Sequence, residues 1–139
     1  MGSLGQAKHR GGTMAETNLA VLLRTMEPVL FPMPYGYAVL AGPVPFAPFA
    51  TVAEAEGVTI VALLSDISAA GMTSDPWARI SLTVHSDLEA VGLTAAFAGA
   101  LGRVGISCNV IAGFHHDHLF VQWDRRADAV AALKALSDV

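Results

Sequence analysis

The segment 80–123 constrains the fold of this chain more than any other part of it. Ile80, Leu82 and Val84 alternate with polar residues, which is the period of a strand with one buried face. The same alternation returns at 106–110 and again at 119–123, after Gly113 and a polar turn. A helical period lies between the first two runs. The segment therefore predicts the order strand, loop, helix, strand, hairpin, strand.

The helix of this segment is predicted to begin at Leu93 or Thr94. Phe97, Leu101 and Val104 give it an apolar stripe at spacings of four and three, and a glycine follows the stripe. A second face holds only the small residues Ala95, Ala98, Gly99 and Gly102. Because each helical glycine costs about 1 kcal/mol relative to alanine, we expect the other half of the chain or a second copy to approach this face. Sequence drift is the alternative.

Three runs carry a family resemblance: SLTVHSDLEAVGLTAAFA, GISCNVIAGFHHDHLFVQW and EAEGVTIVAL. They resemble short uncharacterised proteins built from ACT-like halves and the amino-acid-sensing ACT repeats of aspartate kinases. The resemblance implies an α+β, ferredoxin-like ACT architecture. Its two interdependent halves would have antiparallel sheets with helices on one face.

Three parts of the chain are distinguished on this basis. Residues 1–13 are interpreted as a tag or disordered leader, 14–72 as an N-terminal ACT-like half and 73–139 as a C-terminal ACT domain. The family order βαββαβ requires one strand more than the C-terminal half contains. We expect a strand of the N-terminal half, at 58–64 or 37–41, to complete that sheet, so that the halves cannot be separated.

Composition and charge limit the partners. Of 139 residues, 53% are hydrophobic and 14% are charged, enough for a sizeable core. Without Lys8 and Arg10 of the leader, six basic residues stand against twelve acidic ones, a charge of −6 that disfavours nucleic acid and anionic membranes. The uncharged run 28–53 contains six prolines, which a membrane-spanning helix would not accommodate. We expect a cytoplasmic protein with no nucleic-acid or membrane partner.

The resemblance implies a ligand-binding cleft between the loop before the helix and the facing end of the second strand. The corresponding residues here are Asp87, Val91, Gly92, Leu93, Asn109, Val110 and Ile111. Unpaired N–H groups and the positive end of the dipole at a helix N-terminus favour a carboxylate, and Gly92 has no Cβ to block its approach. Asp87 or Glu89 would meet an ammonium group. The alternative is a self-capped loop that binds nothing.

Other candidate residues have structural interpretations. His115, His116 and His118 suggest a metal when taken alone, but their spacing does not supply the ligands of a closed site, and a hairpin turn is favoured. Glu54 and Glu56 are interpreted as a solvated edge or as the second wall of the cleft. Cys108, the one cysteine, is expected to be a buried structural thiol.

No nucleophile–base pair and no glycine-rich phosphate loop occurs in the sequence. We therefore expect no catalytic residue, no cofactor and no resident metal, and a protein that is not an enzyme. The expected function is that of a regulatory module that binds a small molecule, in particular an amino acid, as a homodimer. A ligand-free oligomerisation or protein-interaction module is the alternative.

Overall fold

The structure, a computed structural model, describes residues 9–10, 13–14, 18–83 and 92–138. The strands are β1 (His9–Arg10), β2 (Thr13–Met14), β3 (Pro28–Leu30), β4 (Tyr35–Leu40), β5 (Ala50–Glu54), β6 (Gly57–Leu63), β7 (Trp77–Leu82), β8 (Asn109–Ala112) and β9 (Asp117–Gln122). The helices are α1 (Leu19–Thr25), α2 (Leu64–Ala69), α3 (Leu93–Arg103) and α4 (Arg126–Leu136). A short 3-10 helix, Trp123–Arg125, precedes α4.

A single seven-stranded sheet runs through both halves of the chain. Its order is β5-β6-β4-β7-β9-β8, with β3 also paired to β7, and every pairing is antiparallel. The strands β1 and β2 form a separate two-stranded pair. No helix of the described ranges is both long and apolar enough to cross a bilayer.

All four helices pack on one face of this sheet. Along β7, Ala78, Ile80 and Leu82 are buried, and they share a core with α1, α3 and α4. On the N-terminal side, Ile60 and Ala62 of β6 bury Ile67 of α2. The α+β, ferredoxin-like ACT architecture with helices on one face is thereby confirmed.

The opposite face of the sheet is lined by aromatic residues and curls inward. Phe49, directly before β5, lies 5.7 Å from Phe120 and 5.0 Å from His118 on β9, between ring centroids. Three strands separate β5 from β9 in the sheet order. In a flat sheet, two strands with three others between them would lie about 19 Å apart. The ring contacts therefore require the sheet to bend over its own aromatic face.

The strand that completes the C-terminal sheet is β3, which differs from our expectation. Pro28, Val29 and Leu30 pair with Leu82, Ser81 and Ile80 of β7. Of the strands that we expected there, β6 pairs with β4 and β5, and β4 meets β7 at the single pair Tyr35 and Trp77. The reason is local. The helix α1 packs into the C-terminal core through Leu22, and this packing places β3, the strand that follows it, beside β7. The division of the chain at residue 72 stays a prediction.

The small-residue face of α3 is open in the single chain at Ala95, Gly99 and Gly102, whereas Ala98 packs against the core. A Cβ built on Gly102 meets nothing within 4 Å, and one on Gly99 meets only the Arg103 side chain of the same helix. Ala95 is exposed. Among the described residues, none of the N-terminal half covers the three open positions. Approach by a second copy of the chain, the other alternative that we expected, stays a prediction.

Replacement of Leu22 by alanine tests whether α1 belongs to the C-terminal core. Leu22 is fully buried, so Leu22→Ala should lower the free energy of unfolding by about 2–5 kcal/mol, measured by urea denaturation. The control Val39→Ala removes an exposed apolar side chain and should change it by about 0.5 kcal/mol or less. Equal, small effects would mean that α1 is not packed as described.

Candidate functional site

Gly92 forms the N-terminus of α3 in a left-handed conformation. Its φ is +95° and its ψ is −16°, and it supplies no side-chain cap to the helix. The carbonyl of Gly92 accepts the N–H of Ala96 at 2.9 Å, while the N–H groups of the first helical residues have no partner within the helix. A side chain here would be strained, and its Cβ would lie 3.1 Å from Leu19 Cδ2. The terminus therefore combines a glycine that its backbone conformation favours with an N-cap residue that has no side chain to bond the first N–H groups of the helix.

The predicted strand residues of the site divide between the two faces of the sheet. Val110 pairs with Leu119 and packs, like Leu93, in the core beneath the helices. Asn109 and Ile111 point to the other face, because they pair with Phe120 and His118. Gly92 and Leu93 thus share a side of the sheet with Val110 and not with Asn109 or Ile111.

Two predicted site residues, Asp87 and Val91, lie outside the described residues, as does Glu89. The predicted cleft between Gly92 and the second strand therefore stays a prediction.

A second polar cluster, which the sequence did not single out, lies on the aromatic face around Arg79 of β7. The guanidinium carbon of Arg79 lies 3.8 Å from the ring centroid of Phe31 and 4.1 Å from that of Phe49. Nη1 donates a hydrogen bond of 2.9 Å to the hydroxyl of Tyr35. Two cation–π contacts and one hydrogen bond fix the guanidinium between the two halves of the chain.

His118 lies beside this cation. Its Nδ1 shares a hydrogen bond of 2.7 Å with the hydroxyl of Ser81, and its ring packs on Phe49. Burial lowers the pKa of His118 to about 4, and the positive charges of Arg79 and His116 act in the same direction. The imidazole is therefore neutral at pH 7.

The remaining candidates have ordinary surroundings. Among the residues that the structure describes, no three His, Cys, Asp or Glu side chains are grouped as a metal site. The 113–116 segment turns between β8 and β9, with the N–H of Gly113 donating to the carbonyl of His116 at 2.9 Å. Glu54 is exposed and accepts the hydroxyl of Thr59. Cys108 is only partly buried; this burial raises the pKa of its thiol to about 11, so the thiol is neutral at pH 7.

Family comparison agrees with this architecture. Two ACT-domain models match the chain, one over residues 14–79 and the other over 72–135. The chain belongs to the ACT-domain family. Comparison with curated proteins finds no match.

Solved structures share the fold over most of the chain. A protein of unknown function from Vibrio cholerae, described as a possible transport protein, is 43% identical; the match has a TM-score of 0.78 and covers 86% of this chain and 95% of that one. A protein from Agrobacterium tumefaciens is 21% identical, with a TM-score of 0.68 and coverage of 81% and 89%. The alpha and beta subunits of an aspartokinase give 10% identity and a TM-score of 0.61, with coverage of 81% and 98%. The last two show likeness of fold alone.

The pH dependence of stability tests the environment of His118. Its folded pKa of about 4 lies below the ordinary value of 6.5, so between these pH values the unfolded chain binds more protons. The free energy of unfolding should therefore decrease as the pH falls from 6.5 to 4 and change no further from this cause below 4.

The measurement is urea denaturation across this range for the wild type and His118→Gln. The variant should lack this part of the decrease, since glutamine does not titrate. Parallel profiles for the two proteins would show that His118 titrates normally in the folded state.

Proposed function

We propose that this protein is a non-enzymatic regulatory module that binds a small molecule, specifically an amino acid, at the N-terminus of α3. The observation that carries the proposal is the left-handed Gly92 at a helix N-terminus to which it gives no side-chain cap. The N–H groups that a helix N-terminus leaves unpaired within the helix, together with the positive dipole end, suit a carboxylate. Membership of the ACT-domain family supports the regulatory part of the proposal.

The output of binding is proposed to pass through the packing of α1 on α3. Leu19 of α1 lies next to Gly92, and Leu22 of the same helix belongs to the central core. A ligand seated at Gly92 would contact or displace Leu19 and so act on the helix that leads into β3. Binding at the terminus would thereby alter how the N-terminal half meets the C-terminal one.

A second function, self-association, is favoured by the open face of α3. Ala95 and Gly102 are exposed and Gly99 is partly so, and a Cβ on Gly102 meets nothing within 4 Å. Small residues let two backbones approach closely. We propose that the protein forms a cytoplasmic homodimer through this face, with or without ligand.

A thermal-shift series with the twenty amino acids tests ligand binding. A true ligand stabilises the folded state by RT ln(1 + [L]/Kd), about 2.7 kcal/mol at one hundred times Kd. At least one amino acid should raise the melting temperature at millimolar concentration. Gly92→Asp should remove that rise, because it puts a negative charge and a Cβ at the terminus.

The matched control is Gly71→Asp. Gly71 also has a positive φ, +83°, but a Cβ there meets nothing within 4 Å, so both variants carry comparable backbone strain and only one alters the site. Each variant is compared with its own ligand-free melting temperature. A flat response of the wild type to all twenty, or an unchanged rise in Gly92→Asp, would contradict the proposal.

Dimerisation is tested with Gly102→Gln. The longer side chain should block a second backbone, while the folded monomer gains about 0.5–1 kcal/mol from the loss of a helical glycine. Sedimentation velocity should give a dimer for the wild type and a monomer for the variant. A variant that remains dimeric would place the interface elsewhere.

A further inference from the structure

An open cavity of about 370 Å³ lies where β3, β7 and the β8–β9 hairpin meet. Part of its wall is apolar, from Val29 and Phe31, and part is polar, from Arg79, Ser81 and His118. His116 lies at its edge and Thr83 is exposed beside it. None of the described residues that line it is acidic. The cavity thus offers positive charge next to apolar surface.

The positive charge of Arg79 is not neutralised by any residue that the structure describes. Its hydrogen-bond acceptor is the neutral hydroxyl of Tyr35, and its Nε is buried without a hydrogen-bond partner. Arg79 thus differs from Arg125, which forms an ion pair with Asp128. A partly buried charge without an opposite charge is costly, so this cluster favours an anion.

Phe31 and Phe49 hold the guanidinium in place before any ligand arrives. The side-chain entropy that an arginine normally loses on binding is therefore already lost when this chain folds. An arginine held in a fixed position is a strong charge partner for a carboxylate. Val29, which is exposed at the cavity, and Phe31 would contact an apolar group attached to that carboxylate.

We propose that this cavity binds a small organic monocarboxylate that carries an apolar group, with Arg79 as its charge partner. The site lies on the aromatic face of the sheet, whereas α3 and Gly92 lie on the helix side, so the two proposals do not depend on each other. An amino acid fits this cavity less well, because its ammonium group would face Arg79 with no acidic lining residue among those described.

Benzoate and its neutral isostere benzamide are the probes. In isothermal titration calorimetry on the full chain at pH 7, benzoate should bind, and benzamide should bind roughly tenfold more weakly or not at all, because the neutral amide cannot form a charge-assisted hydrogen bond of the same strength with Arg79. Arg79→Met keeps the apolar stem and should weaken benzoate binding at least roughly tenfold. Arg24→Met, at an exposed position on α1, should leave it unchanged.

A second pair of variants preserves the test if Arg79→Met does not fold. Thr83 is exposed and lines the cavity. Thr83→Glu places a negative charge at the mouth and should weaken benzoate binding, whereas Thr83→Gln, of similar size, should not. Gly92→Asp should leave benzoate binding intact, which separates this site from the proposed amino-acid site.

Three results would overturn the inference. Equal binding of benzoate and benzamide would show that the charge of the ligand is not used. Unchanged binding in both Arg79→Met and Thr83→Glu would place the ligand elsewhere. Stronger binding of inorganic phosphate than of benzoate would show a general anion site without a role for the apolar wall.

Discussion

The antiparallel pairing of β3 with β7 is the constraint on which the rest of the fold depends. It extends beyond the three paired residues, because the N–H of Phe31 donates to the carbonyl of Arg79 at 3.0 Å and the N–H of Thr83 to that of Glu27 at 3.1 Å. Without it, β7 would present unpaired backbone groups along most of one edge, and unpaired edges are prone to wrong pairing. The N-terminal segment thus completes the part of the sheet that the C-terminal strands β7, β9 and β8 form.

The same pairing assembles the aromatic face. It brings Phe31 over Arg79, and the β4 strand that follows brings Tyr35 against Phe120 with ring centroids 5.8 Å apart. The curl of the sheet then adds Phe49 from the far side. Arg79 is enclosed by residues from three separate stretches of the chain. The position of the Arg79 guanidinium therefore depends on contacts between both halves of the chain. A change in those contacts would alter the cavity beside it.

Local patterns in the sequence predicted a large part of the C-terminal half. The alternation predicted β7 and β9, and the apolar stripe predicted α3. The helix ends shortly before Gly105, which has a φ of +75°. The strand expected from Ile106 begins only at Asn109. The reason is the helix end: the N–H of Ile106 donates to the carbonyl of Leu101 at 2.9 Å, which folds Ile106 back into the core before the strand starts.

The completing strand and the Arg79 cluster could not be predicted in this way, because both depend on contacts between residues far apart in the chain. A three-residue strand that begins with proline carries almost no periodic signal, and its partner lies about fifty residues later. Arg79 occupies an ordinary polar position in the alternation of β7. The one available signal was the set of aromatic residues in the uncharged run 28–53. Such side chains are expected to pack against other residues when the chain folds, but the sequence does not indicate which. The candidate site at Gly92 was inferred from the family resemblance and from the position of this glycine before a predicted helix, and it stays a prediction.

Native-state hydrogen exchange measures most directly whether the two halves form one cooperative unit. The amide protons of Phe31 and Thr83, which bond across the β3–β7 pairing, should exchange with the same free energy as those of Ile80 and Val121 in the central strands. Their exchange should also show the same dependence on denaturant. Exchange of Phe31 and Thr83 at a much lower free energy, with little dependence on denaturant, would show that β3 opens independently and would contradict this account.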